Sequence, residues 1–340
     1  KPFLKKLLGF IVICFGPFFI LLLGGYLYFD PFKVLYKYSD TEFNQVQKVV
    51  FPYNRDYMAT ELFLKNYPAY KYNSFIFGSS RSGATKTSEW RKYLNKDAVP
   101  FSYNAAGESV YGIYKKLLFL DSLHVKIDNV LIILCRDWSF MHEGNQTGIL
   151  FIKHPAITGE SKLAFYGTFL HEYFDKNFLK AFYTYKLTNH YQDWMSTVIL
   201  NSPIEYNSVT NEGRLIGLDS TIDADPEKYY TAKKDIFFSR AGEKTDSVIR
   251  ITDKQFFMLS EIKRILEKNN TNYRIVCSPL YEQIKYHPHD KQLLTQLFGN
   301  NLFDFTGKNR FTDPITNYYE SSHYRKVVGD SMLNIIYRKN

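Results

Sequence analysis

Between Leu7 and Phe29 the chain runs for 23 residues without a charge, LLGFIVICFGPFFILLLGGYLYF. At about 1.5 Å per residue, such a run crosses a hydrocarbon core about 30 Å thick with modest tilt. Lys1, Lys5 and Lys6 precede it, and Tyr26, Tyr28 and Phe29 close it as an aromatic belt at the membrane–water boundary. The lysine bias predicts a cytoplasmic N-terminus, with everything after Asp30 on the extracytoplasmic (periplasmic) side. A cleaved signal sequence fits less well: its apolar region spans only about 7–15 residues and ends at a small-residue site. Gly24–Gly25 followed by Tyr-Leu-Tyr makes a poor site of that kind. No second long apolar run follows. The expectation is a single-pass cell-membrane anchor over residues 1–29, a juxtamembrane connector over 30–70 and a large outward-facing body over 71–340.

That body has the composition of a folded domain, since the 340-residue chain is 45% hydrophobic and 23% charged. Three cysteines (Cys14, Cys135 and Cys277) exclude a disulfide scaffold and a Cys-rich metal site. The formal net charge of +9 suits an anionic membrane or polyanionic glycan, but no Lys/Arg block forms a nucleic-acid footprint.

Short apolar runs alternate with helical patterns, which predicts an α/β domain around a parallel sheet. Ser74–Gly78 reads as the first strand, Val99–Tyr103 as a shorter one, and Asn129–Cys135 as a strand covered on both faces. Tyr273–Cys277 and Leu302–Phe305 complete the set. Helices are expected around Asp56–Lys65 and over Val110–Ser122, Asp253–Lys268 and Asp290–Phe298. Residues 140–250 break this rhythm. Helical, aromatic-rich segments over Lys162–Tyr173 and Phe178–Leu200 lead into a polar, turn-rich stretch over Ser202–Lys244. This reads as a mainly helical insertion over one end of the sheet, serving as a lid or a partner surface.

Three stretches carry chemistry, all where an open α/β sheet places its site, beyond strand C-termini. Phe77-Gly-Ser-Ser-Arg-Ser-Gly83 puts serines on a sharp strand-to-helix turn, whose backbone N–H groups can face developing negative charge. Tyr103-Asn-Ala-Ala-Gly-Glu-Ser109 carries a glycine that allows close backbone approach. Glu320-Ser-Ser-His323 spaces a carboxylate from a histidine so that the acid can fix one imidazole tautomer while the other ring nitrogen faces a serine. Each alone has an ordinary reading: a βα loop, a turn glycine, a surface ion pair.

The order of the three resembles the SGNH (GDSL-like) hydrolase superfamily. The match is nearest to its membrane-anchored branch, with the D-alanine transfer protein of teichoic acid and the alginate O-acetylation proteins. The likeness covers roughly residues 72–140 and 270–335. It implies a three-layer sandwich around a central parallel sheet, flavodoxin-like in plan. By position it makes Ser80 the nucleophile, in Gly-Ser-Ser where the family has Gly-Asp-Ser. Gly107 becomes an oxyanion donor beside the Ser80 N–H, and Glu320 and His323 match the family's Asp-x-x-His. The family's Gly-x-Asn has no counterpart: the matching strand end reads Leu-Cys-Arg136-Asp137-Trp138, and an ionised Asp cannot donate. Arg81 and Arg136 can bind a carboxylate or phosphate on a substrate, or pair with Asp137 or Glu108 to hold the loops.

The implied activity is that of an extracytoplasmic serine esterase or O-acyltransferase acting on acyl esters of a cell-envelope glycan or lipid. The resemblance further implies a multi-pass membrane acyltransferase as partner. No cofactor, metal or nucleic acid is expected: His287-Pro-His289-Asp290 lacks a further ligand, and there is no Gly-rich nucleotide loop. The competing expectation is a non-catalytic scaffold that keeps the sheet and docks a partner through the 140–250 insertion.

Overall fold

The computed structural model describes residues 2–40, 42, 51–201 and 204–338; the connector residues 41 and 43–50 lie outside that set. Helix α1 (Pro2–Phe29) takes up the whole apolar run, with Pro17 inside it. Among the described residues it is the one helix long and apolar enough to cross a membrane, and only 6% of its window Val12–Phe29 is buried within the protein, unlike a core helix. Helix α2 (Arg55–Tyr70) follows, started by the Asn54 side chain accepting from the Tyr57 N–H at 2.7 Å.

The sheet strands are β1 (Ser74–Gly78), β2 (Pro100–Ser102), β3 (Asn129–Leu134), β4 (Asn272–Cys277) and β5 (Leu302–Asp304). They pair in the order β2-β1-β3-β4-β5, every pair parallel. Register sets Ser74 opposite both Pro100 and Asn129, Leu134 opposite Cys277, and Cys277 opposite Asp304. All five strands therefore end along one edge. Residue alternation sends Val130, Ile132 and Leu134 into one core and Leu131 and Ile133 into the other. This is why β3 is apolar at every position after Asn129.

The first core is closed by α2, α3 (Val110–Ser122), α6 (Asp253–Lys268) and α7 (Pro288–Phe298), through Phe63, Leu117, Ile262 and Leu294. Helix α6 starts where a capping box says it should, Thr252 and Gln255 each bonding the other's backbone N–H. The second core is closed by α8 (Lys326–Ile336) and by the short helices Leu218–Ala224 and Pro226–Ala232, through Met332, Leu333, Ile222 and Tyr230. Each fully buried side chain of this size contributes about 1.5–3 kcal/mol of apolar burial.

The 140–250 segment divides into three pieces with separate jobs. Helices α4 (Lys162–Tyr173) and α5 (Lys176–Thr188) form a hairpin packed on the end of α1, with Phe165, Phe169, Phe178 and Phe182 in a core shared with Tyr26 and Phe32. The helix expected over Phe178–Leu200 stops early because Asn189 turns left-handed at its C-cap (φ +50°). Residues 207–211 cover the free edge of β2: the Ser102 N–H donates to the Thr210 carbonyl at 2.9 Å, and Asn211 Nδ2 to the Ser102 carbonyl at 2.7 Å. The third piece, residues 218–232, lies against the C-terminal hairpin described next.

Candidate active site

Strand β1 ends at Gly78 with φ +149°, where a Cβ would lie 2.8 Å from the Ile133 carbonyl oxygen. Glycine alone lets β1 run this close to β3 and then turn. The chain enters a 3₁₀ turn over Ser80–Ala84, capped by Ser79, whose side chain accepts from the Arg81 N–H. Ser82 tightens the turn by donating from Oγ to the Ser79 carbonyl at 2.7 Å. Ser79 points into the protein and is buried, whereas Ser80 is exposed at the edge. As the first residue of the turn, Ser80 carries an N–H with no partner within it. Helix α8 holds the turn from behind, meeting it at Gly329.

The partner of Ser80 comes from the other end of the chain. Tyr318–Glu320 and His323–Tyr324 pair antiparallel across Ser321–Ser322, with Glu320 directly opposite His323. The three-residue spacing thus works as a tight hairpin, not as a helix face. Glu320 Oε1 bonds His323 Nδ1, and Glu320 Oε2 accepts from the Ser322 N–H at 2.6 Å. With an acceptor on Nδ1, the imidazole proton sits there and Nε2 is free to accept. Nε2 lies 2.7 Å from Ser80 Oγ. Burial opposes ionisation of Glu320, but the hydrogen bond and charge of His323, the Ser322 N–H and the nearby Arg81 together hold its carboxyl below the usual range.

Gly107 lies in the loop after β2, next to β1. Its φ is +51°, and a Cβ would press on the rings of Phe151 at 3.0 Å and Trp138 at 3.2 Å. Behind it stands a group absent from the sequence expectations. Asp56, Glu108, Lys116 and Lys153 are all fully buried. Lys153 Nζ is 2.6 Å from Glu108 Oε1, and Lys116 Nζ is 2.9 Å from Asp56 Oδ2 and 3.1 Å from the Tyr103 carbonyl. Burial pushes the Asp56 carboxyl upwards, but the two ammonium groups and the His154 N–H outweigh it and the net shift is downwards. This cluster ties α2, the Gly107 loop, α3 and residue 153 together. Truncating one member of such a set typically costs about 3–5 kcal/mol.

Both arginines are committed to partners within the chain. Arg81 donates from Nε to the Ser322 carbonyl at 2.8 Å and from Nη1 to Asp137 Oδ1 at 3.3 Å, so it ties the Ser80 turn to the His323 hairpin. Asp137 also accepts from the Trp138 N–H at 2.8 Å. Arg136 is turned to Asp246 and to Glu282, the latter at 3.1 Å. Of the alternatives open for these arginines, the structure thus displays pairing: Arg81 with Asp137, and neither with Glu108.

The hairpin is braced from outside by the third insertion piece. The hydroxyls of Tyr229 and Tyr230 donate to the carbonyls of Tyr319 and Tyr318 at 2.7 and 2.8 Å. Arg325 Nε pairs with Asp219 Oδ1 at 2.9 Å, and Tyr319 Oη donates to Asp219 Oδ2 at 2.7 Å. This part of the insertion is therefore a buttress of the histidine. Its signal in the sequence was only a Tyr-Tyr pair and scattered acids, which carry no information about a partner some 90 residues away.

Searches of known proteins return no family model that matches the chain and no curated protein that matches it.

Proposed function

We propose that the protein is a membrane-anchored serine esterase or O-acyltransferase of SGNH type, held on the outer face of the cell membrane by α1 and acting on acyl esters of an envelope glycan or lipid. The observation that carries this reading is the relay Ser80 Oγ–His323 Nε2 at 2.7 Å, with Glu320 on His323 Nδ1. Nucleophile, base and orienter come from opposite ends of the chain and meet in the order acyl transfer needs.

In the proposed cycle Ser80 Oγ attacks the ester carbonyl and its proton passes to His323 Nε2. The oxyanion faces the N–H groups of Ser80 and Gly107. Collapse breaks the acyl–oxygen bond, and the leaving alcohol takes the proton from His323. Water or a glycan hydroxyl then gives its proton to His323 and attacks the Ser80 ester; as the Ser80–acyl bond breaks, Ser80 Oγ takes that proton back from His323, leaving an acid or a new ester and free serine. Glu320 keeps the tautomer throughout and stabilises the imidazolium. Asp137 stands where the family has a donating Asn; loss of one such donor typically costs about 10²–10³ in rate, so turnover is expected to be slow. A multi-pass acyltransferase remains the natural acyl source implied by the family.

The test is hydrolysis of a chromogenic short-chain ester by the purified full chain. Ser80→Ala and His323→Ala should each lose turnover while keeping the wild-type thermal transition. Wild-type turnover in either variant would sink the reading.

A further inference from the structure

Over its last three turns α1 has two different sides. One faces the α4–α5 hairpin: Phe19 stacks on Phe174 with ring centroids 5.2 Å apart, and the Tyr173 hydroxyl donates to the Leu22 carbonyl at 2.9 Å. Higher up, Phe29 meets Phe182 edge-on at 5.6 Å. The hairpin therefore descends alongside α1, and its turn at Phe174–Lys176 is level with Phe19. Ten residues separate Phe19 from Phe29, about 15 Å of helix. Were all of Leu7–Phe29 in hydrocarbon, that turn would sit near the middle of a core about 30 Å thick.

The surface of the turn argues against such depth. His171, Asp175, Lys176, Asn177 and Lys180 are exposed. A lipid-facing Asp or Lys at the centre of a membrane helix costs about 2.5–3.5 kcal/mol. On the opposite side of α1, Ile20 and Leu21 are 69% and 71% exposed. They require lipid up to about their own level. Both demands are met if the hydrocarbon boundary passes close to Leu21.

Taking α1 as a membrane span, which is part of the reading above, we infer that the α4–α5 hairpin is a membrane-surface seat. Its turn lies among outer-leaflet headgroups, and the hydrocarbon segment of α1 ends near Leu21, not at Phe29. Counting back from there, Leu4–Leu21 is 18 residues, about 27 Å, enough to span. Lys5 and Lys6 then lie within a turn of the inner boundary, where long side chains snorkel. Tyr26 moves above the bilayer. It is only 4% exposed and packs on Tyr173, so it belongs to a protein core and not to the expected aromatic belt. Around the turn, Lys176 and Lys180 balance Glu172 and Asp175, a polar, charged surface that suits the headgroup layer and not hydrocarbon.

The test uses the full chain with Cys14→Ser, reconstituted in phosphatidylglycerol-containing liposomes; Cys135 and Cys277 are buried and stay silent. A bimane on Lys176→Cys should be quenched more strongly by headgroup spin-labelled lipid than by lipid labelled near the chain end. Gly24→Cys, where a side chain meets nothing within 4 Å, should react with a membrane-impermeant maleimide, and Ile13→Cys should react only after detergent. Stronger quenching from the chain end, together with protection of Gly24→Cys, would place the hairpin inside the bilayer and overturn the inference. Absence of quenching by either lipid would place it off the membrane and overturn it equally. Labelling of Ile13→Cys without detergent would instead remove the membrane span itself, a failure of the underlying reading.

Discussion

Gly329 connects helix packing to the relay, and replacing it with alanine separates the two. A Cβ at that position would collide with the Ala84 carbonyl oxygen and lie 2.7 Å from its carbon. Both are backbone atoms, so no side chain can swing aside. Ordinary contact begins near 3.4 Å, and α8 must therefore back away from the Ser80–Ala84 turn by about 1 Å. Forced overpacking of this kind costs about 1–3 kcal/mol, which for a domain of this size lowers Tm by roughly 2–12 °C. The same displacement would stretch Ser80 Oγ–His323 Nε2 from 2.7 Å beyond the ~3.2 Å limit of a working hydrogen bond. A misplacement of that size costs about 10²-fold in rate. The assay is ester turnover beside a thermal melt. Gly83→Ala is the control: it lies in the same turn, but an added Cβ meets nothing within 4 Å, so it should change neither quantity. Gly329→Ala with wild-type turnover and Tm would refute the packing argument.

Glu320→Gln keeps the shape of the hairpin but loses the charge that stabilises the imidazolium, and should cut ester turnover by about 10²–10⁴ at unchanged Tm. Arg81→Lys cannot reproduce a fork reaching both the Ser322 carbonyl and Asp137; steady-state kinetics should show kcat falling with KM nearly constant, whereas a substrate-binding arginine would raise KM. Tyr230→Phe removes one hydroxyl donated to the hairpin and should cost about 0.5–1.5 kcal/mol in denaturant titration. For Asp56 the folded carboxyl titrates below its unfolded value, so its contribution is fully present at neutral pH. It is lost as pH falls below the ordinary carboxylate range. Urea midpoints measured from pH 7 down to pH 3 should fall, and Asp56→Asn should flatten that fall while lowering stability at pH 7.

The parts of the fold that were legible in the sequence are those written in local patterns. NVLIIL is apolar at every position after Asn129 because both its faces are covered, and SFIFG breaks at the glycine that close approach of β3 demands. Glu320 and His323 were legible as a pair because they sit across one hairpin turn, and Ser80 because it follows a strand. The ion cluster was not, since Asp56, Glu108, Lys116 and Lys153 come from distant positions and each alone looks like a surface charge. Nor was the pairing of Arg136 with Asp246, or the bracing of Tyr318 and Tyr319 by Tyr230 and Tyr229. These contacts depend on where the 140–250 chain returns to the sheet, and no local pattern records that. The same holds for α1: the apolar run marks the helix, but no local pattern records the α4–α5 hairpin packed against its end.

The central claim is that Ser80 is an activated nucleophile, and a fluorophosphonate serine probe on the full-length protein in membranes tests it most directly. The account predicts labelling at Ser80 that disappears in Ser80→Ala and falls sharply in His323→Ala, whose ring nitrogen lies 2.7 Å from Ser80 Oγ. A folded protein that takes no probe, or takes it equally in Ser80→Ala, would contradict it.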